Sequence, residues 1–158
     1  MKKWMTIILI SIISFGLASC SNQDDAAVED FVREYKVKQY TVTDPMNPPD
    51  EVILTESMEK YLSEDAYINL AANRFYSVAP DLAKKLNASI ELKDITLEEV
   101  KTEDGVTSYK YSLELLFDNG TKTETVERKG ELSITTAEEF VITRDWENKI
   151  TEIWGEKF

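Results

Sequence analysis

Asp94 and Asp145 are the residues with which this chain would do acid–base chemistry. Each adjoins apolar positions of an alternating, strand-like run, and a carboxylate desolvated there has a raised pKa. Beside a tyrosine, Tyr109 or Tyr111, such a group can act as a general acid or base. Two features speak against this role. Arg144 adjoins Asp145, and an aspartate at a strand irregularity often simply bonds backbone donors. Cys20 is the third reactive residue and the only cysteine, and the chain has no histidine. Ser-His-Asp and Cys-His chemistry, an internal disulfide and a Cys/His metal site are thereby excluded. The acidic pairs Glu98-Glu99, Glu103-Asp104 and Glu138-Glu139 lack EF-hand spacing and read as solvated surface. No catalytic residue, metal site or cofactor is assigned from these residue types.

Cys20 closes a segment of distinct composition. Lys2 and Lys3 give a cationic end, an apolar stretch runs from Ile7 to Leu17, and small residues follow. That order is a secretory signal. Leu17-Ala18-Ser19-Cys20 resembles the bacterial lipoprotein signal, the lipobox, at all four positions. The resemblance implies a diacylglyceryl group on the Cys20 sulfur and cleavage that leaves Cys20 as the mature N-terminus. Two acyl chains anchor stably where one holds only marginally. The segments expected are a signal peptide over 1–19, a lipid-anchored tether over 20–25 and a single domain over 26–158. The domain is placed at the extracytoplasmic face of the cell membrane.

Charge narrows the partners. The whole chain carries a formal −12, and losing Lys2 and Lys3 makes the mature chain two units more negative. Nucleic-acid affinity comes largely from Lys and Arg on phosphates, so no nucleic acid is expected. Attraction of the domain body to an anionic membrane is disfavoured for the same reason, which leaves the lipid to hold it there.

The remaining residues divide by period. Val28, Phe31, Val32 and Tyr35 form a helical stripe, with a start expected at Asp24 or Asp25. Lys36 and Lys38 suit the C-terminal end of that helix. Pro45, Pro48 and Pro49 make 41–50 a loop. A second helix is expected over 55–62, with Leu54, Met58, Tyr61 and Leu62 on one side. A third is expected from Glu64 to Phe75 behind a Ser63 cap, and a short fourth begins near Pro80 and ends at Asn87. From Ala88 the period falls to two. Asp94 breaks the phase between Ile90-Leu92 and Ile95-Leu97, which predicts a bulge or bend. Asp104-Gly105 and Asp118-Asn119-Gly120 mark turns. Strands are expected over 109–117, 121–136, 140–146 and 150–154, with a bend at Gly130. Tyr109, Tyr111, Phe117, Trp146 and Trp154 are expected to fill the core, or alternatively to line a cavity.

Helices followed by an antiparallel meander give an α+β fold, the helices packed on a curved sheet of about four to five strands. With the closing Asn148-Lys149-Ile150-Thr151-Glu152-Ile153-Trp154 run, this order resembles the nuclear transport factor two-like superfamily, a cone-shaped fold. A cystatin-like arrangement is the near alternative. The resemblance implies a concave sheet face that forms a pocket, and it implies no particular activity. The function expected is a binding or assembly module for an envelope protein partner or a small ligand. The alternative is a small pocket enzyme that uses Asp/Tyr acid–base chemistry.

Overall fold

The chain builds its helices first and then lays them on the sheet that follows. The computed structural model describes residues 21–136 and 139–158. The signal segment, the lipobox and Cys20 lie outside the described residues, as does Glu138. Four helices come first: α1 (Ser21–Tyr40), α2 (Glu51–Met58), α3 (Glu64–Ala72) and α4 (Val78–Leu86). Strands β1 (Ser89–Glu103), β2 (Val106–Asp118), β3 (Thr123–Thr135) and β4 (Val141–Glu147) form one antiparallel sheet in the order β1-β2-β3-β4. The α+β class, the curved sheet and the helical layer are as the residue pattern predicts. No helix among the described residues is long and apolar enough to cross a membrane.

Local chemistry explains the element ends. α1 is already helical at Ser21, the first described residue, ahead of Asp24 and Asp25, so helix replaces most of the expected tether. α2 starts four residues before the expected Thr55. Asp50 caps it, accepting from the Val52 amide at 2.9 Å and the Ile53 amide at 3.2 Å. A single 3-10 turn, Glu59–Tyr61, finishes that segment. Ser63 caps α3 as predicted, accepting from the Ala66 amide at 3.3 Å. α3 stops at Ala72, short of Phe75, because Arg74 turns left-handed at φ 54°. α4 carries Pro80 in its first turn and closes on Asn87 at φ 49°.

The expected irregularity at Asp94 is present as a register shift between Leu92 and Asp94. Further shifts follow between Glu99 and Lys101, and at Ser133/Ile134 on the β3–β4 ladder. Each bends its strand and increases the local twist. Asp104 and Gly105 both have positive φ, 52° and 77°, which matches the right-handed twist of the hairpin they join.

The end of the chain departs from expectation. Residues 150–154 do not add a strand to the sheet. Instead β5 (Glu152–Ile153) and β6 (Glu156–Lys157) form a separate two-stranded ribbon. It turns at Trp154 and Gly155, with φ of 52° and 81°. Ile153 is enclosed and Trp154 packs half-buried against the core. Trp146 is 53% exposed and does not join the core as expected. β4 alternates, so the neighbours Asp145 and Glu147 take the inward direction and Trp146 the outward one. Tyr109, Tyr111 and Phe117 are buried between sheet and helices, as are Leu113, Leu115, Ile134 and Ile142.

Candidate functional site

Two polar features lie between α1 and the sheet, one open and one sealed. The open one is a cleft of about 760 Å³ along α1 from Asp25 to Glu34. It has an aromatic side and an acidic side. Phe31 stands between Tyr61 and Phe140, with ring centroids 5.7 and 5.5 Å away, and Tyr109 adds a fourth ring. Asp25, Glu34, Glu99 and Glu139 supply four carboxylates, and Lys60 is the one cation among the described lining residues. Lys60 pairs with Glu34 at 3.0 Å, and its ammonium lies 4.5 Å from the centre of the Tyr61 ring. The Tyr61 hydroxyl donates to Glu34 at 2.6 Å. That bond, with those from Lys60, holds the Glu34 carboxyl below its ordinary value. Burial, with Glu99 and Asp25 nearby, raises the Tyr109 hydroxyl.

The helix that walls the cleft continues into the sealed feature. Lys36, in the C-terminal half of α1, points at the sheet with its side chain wholly enclosed. Its ammonium is 2.6 Å from Asp145 Oδ2 and 2.6 Å from Glu147 Oε1. Gln39 Oε1 at 3.0 Å and the Tyr111 hydroxyl at 2.9 Å complete its surroundings. Arg128 from β3 reaches Glu147 Oε2 at 3.1 Å. Tyr40 also donates to Glu147. Tyr35 donates to Asp145 at 2.9 Å, and Tyr76 lies 3.0 Å from Tyr35. Two cations and two carboxylates therefore neutralise one another, each with hydrogen-bonded neighbours, as buried charge requires. Burial raises the Asp145 carboxyl against the pull of Lys36. Burial pushes Glu147 the same way, but Lys36 and Arg128 together outweigh it and hold Glu147 low. Burial also raises the Tyr35, Tyr40 and Tyr111 hydroxyls well above their ordinary value, so all three remain donors.

Gly130 makes this arrangement possible. It pairs with Tyr111 on one side and Glu147 on the other. A Cβ there would run into the Tyr111 ring and the Trp146 carbonyl. The expected bend at Gly130 is thus a place where an aromatic ring crosses bare backbone.

The predicted acid–base residues separate. Asp145 does meet Tyr111, at 2.7 Å, and its pKa is raised, but its side chain has no solvent contact. Asp94 is exposed at the bulge, 3.2 Å from Arg33. The Ile95 amide and Arg33 hold its carboxyl low. Tyr109 lines the cleft, and neither aspartate does. No group of three or more potential ligands is placed to hold a metal among the described residues.

Lys36, Gln39, Arg128 and Glu147 carry the sealed network and were not among the candidates. Lys36 lies four residues after Val32, on the apolar stripe, and Arg128 shares the parity of Val126 and Leu132. Charges on buried positions were the available signal.

No family model and no curated protein matches the chain. Solved structures do resemble it. An IcmL-like type IV secretion system protein from Legionella pneumophila aligns with a TM-score of 0.58 at 16% identity, covering 81% of this chain and 94% of that one. The periplasmic domain of DotI aligns at 0.55 with 10% identity, over 80% of this chain and 96% of that one. The transfer protein TraH from the Gram-positive conjugative plasmid pIP501 aligns at 0.53 with 15% identity, over 81% and 96%. At these identities the likeness is one of fold. This chain shares an α+β architecture with a protein described as part of a type IV secretion system, a periplasmic domain and a conjugative-plasmid transfer protein.

Proposed function

We propose that this chain is a lipid-anchored, extracytoplasmic assembly module that holds a protein partner at the cell membrane through the cleft along α1. The observation that carries the reading is the contrast between the two polar features. The carboxylate with the raised pKa is sealed and charge-balanced, out of reach of a substrate, while the accessible concavity is a wall of aromatics and carboxylates. Concave, aromatic-lined surfaces with a few polar groups are the usual form of binding sites. The structures of similar fold are described as a type IV secretion system protein, a periplasmic domain and a transfer protein of a conjugative plasmid, which supports an envelope role. The lipobox supplies the anchor. α1 is helical from Ser21, the first described residue, and its rise of about 1.5 Å per residue would hold the cleft close to the bilayer.

The reading is tested in cells by placing a photocrosslinking amino acid at Thr107, inside the cleft, and at Glu114, outside it. A discrete protein adduct from the first position alone is expected. Adducts from neither position, or the same adducts from both, would remove the cleft from the account. The anchor is tested separately by labelling with a clickable fatty acid, which Cys20→Ala should abolish. The enzyme alternative rests on Asp145 beside Tyr111, and it requires a phenotype in Asp145→Asn that exceeds the variant's loss of folded protein.

A further inference from the structure

We infer that the cleft takes an amphipathic cation: an arginine or lysine side chain flanked by an apolar residue, presented by a segment of the partner protein. This rests on the reading of the cleft as the partner site and adds the chemistry it selects. The first argument is charge. Asp25, Glu34, Glu99 and Glu139 face the cleft, and Lys60 offsets Glu34 alone. Asp25, Glu99 and Glu139 have no ion-pair partner within 4.0 Å among the described residues. The second argument is the rings. Aromatic faces carry negative potential and attract cations within about 6 Å of their centres. The structure already contains one such contact, Lys60 over Tyr61 at 4.5 Å. A second cation against the half-buried Phe31 ring would repeat it, with Glu99 or Glu139 as counter-ion. The third is size. At about 760 Å³ the cleft falls within the 300–1,000 Å³ range that encloses a ligand larger than a bare ion.

Charge also selects among occupants. Anionic headgroups would meet four carboxylates. A second copy of this chain would bring another strongly acidic surface to the first. A cationic segment from a different protein meets both the rings and the carboxylates.

The probe is a blocked tetrapeptide, Phe-Arg-Phe-Arg, titrated calorimetrically into the full chain in neutral detergent micelles. Its control replaces each arginine by citrulline, which keeps shape and hydrogen bonding and removes the charge. The arginine peptide is expected to bind at least tenfold more tightly than the citrulline peptide. Glu99→Gln/Glu139→Gln should weaken it at least fivefold, and Glu64→Gln/Glu114→Gln, the same charge change outside the cleft, should not. Glu99 and Glu139 are exposed, so their substitution should leave the melting temperature in place. Equal affinity for the two peptides, no measurable binding, or an unchanged affinity in Glu99→Gln/Glu139→Gln would overturn the assignment. If the peptide fails while Thr107 still crosslinks in cells, the ligand class is wrong and the assembly role stands. If both fail, the reading of the cleft falls with it.

Discussion

Replacing Lys36 by Met tests whether charge, and not volume, holds α1 to the sheet. Methionine fills a similar space, so the change removes an ammonium without opening a large cavity. Four groups lie within 3.0 Å of that ammonium, and two are carboxylates at 2.6 Å. Among the described residues Arg128 would remain as the one cation facing Asp145 and Glu147. Leaving one buried charge uncompensated costs about 3–5 kcal/mol, a large share of an ordinary stability of about 5–15 kcal/mol. The cost should depend on pH. Asp145 already has a raised carboxyl, so its folded state holds a proton more tightly than its unfolded state. The stability from such a group is present at low pH and lost as pH rises through the folded pKa. Glu147 is held low and acts in the opposite sense, losing its contribution as pH falls through its folded pKa. In the wild type these slopes oppose each other. In Lys36→Met the first should dominate, because protonating Asp145 removes the surplus charge. Urea unfolding followed by far-UV circular dichroism should show a loss of about 3–5 kcal/mol at pH 8. The loss should be smaller at pH 5 by at least about 1.4 kcal/mol, the value of one pKa unit. A loss below about 1 kcal/mol at pH 8, or the same loss at both pH values, would refute the account of how this helix is fixed.

Three other outcomes follow from named contacts. Gly130→Ala should cost about 1–3 kcal/mol through overpacking against the Tyr111 ring, and a Tyr111→Ala background should shrink that increment in the same urea titration. Ile153→Ala should lower the melting temperature more than Trp154→Ala, since Ile153 is fully enclosed while the indole is half-buried and its buried Nε1 has no hydrogen-bond partner among the described residues. A chain spanning Asp24 to Phe158 has neither cysteine nor histidine and should melt at the same temperature with and without EDTA or reductant; a fall of several degrees with EDTA would reveal a stabilising cation held by carboxylates.

The fold was legible where one period decided it. The α1 stripe of Val28, Phe31, Val32 and Tyr35 and the alternation from Tyr109 to Phe117 left one reading each, and both are observed. The strand bulge at Asp94 was legible because an acidic residue interrupted a strict parity. The ribbon at 152–157 was not. Ile150, Ile153 and Trp154 are apolar in any pairing, and a bulky Trp154 at positive φ is a turn residue that side-chain type does not announce. Trp146 misleads for a related reason. Size suggests the core, but parity on β4 assigns the inward positions to Asp145 and Glu147. The network itself needed long-range information: Lys36, Arg128, Asp145 and Glu147 come from one helix and two strands, and the pattern around each marks a buried position without naming its partners. Only their simultaneous position on inward faces makes them a set.

That set divides α1 into two unequal stretches. Its last turns carry Tyr35, Lys36, Gln39 and Tyr40 into the sealed network, and the stretch before them carries Asp25, Val28, Phe31 and Glu34 to the cleft. A buried ion network adds little net stability over an apolar core of the same volume. What it adds here is orientation. Lys36 must lie between two carboxylates contributed by one strand, and a rotation of α1 by one residue, about 100°, would take it out of that position. The same rotation would turn Phe31 from Tyr61 and Phe140 and dissolve the aromatic wall. The helix that forms one side of the binding surface is therefore held at a single angle by charges that never meet solvent. An assembly surface benefits from that rigidity, because a wall already in place leaves less conformational entropy to be lost when the partner docks.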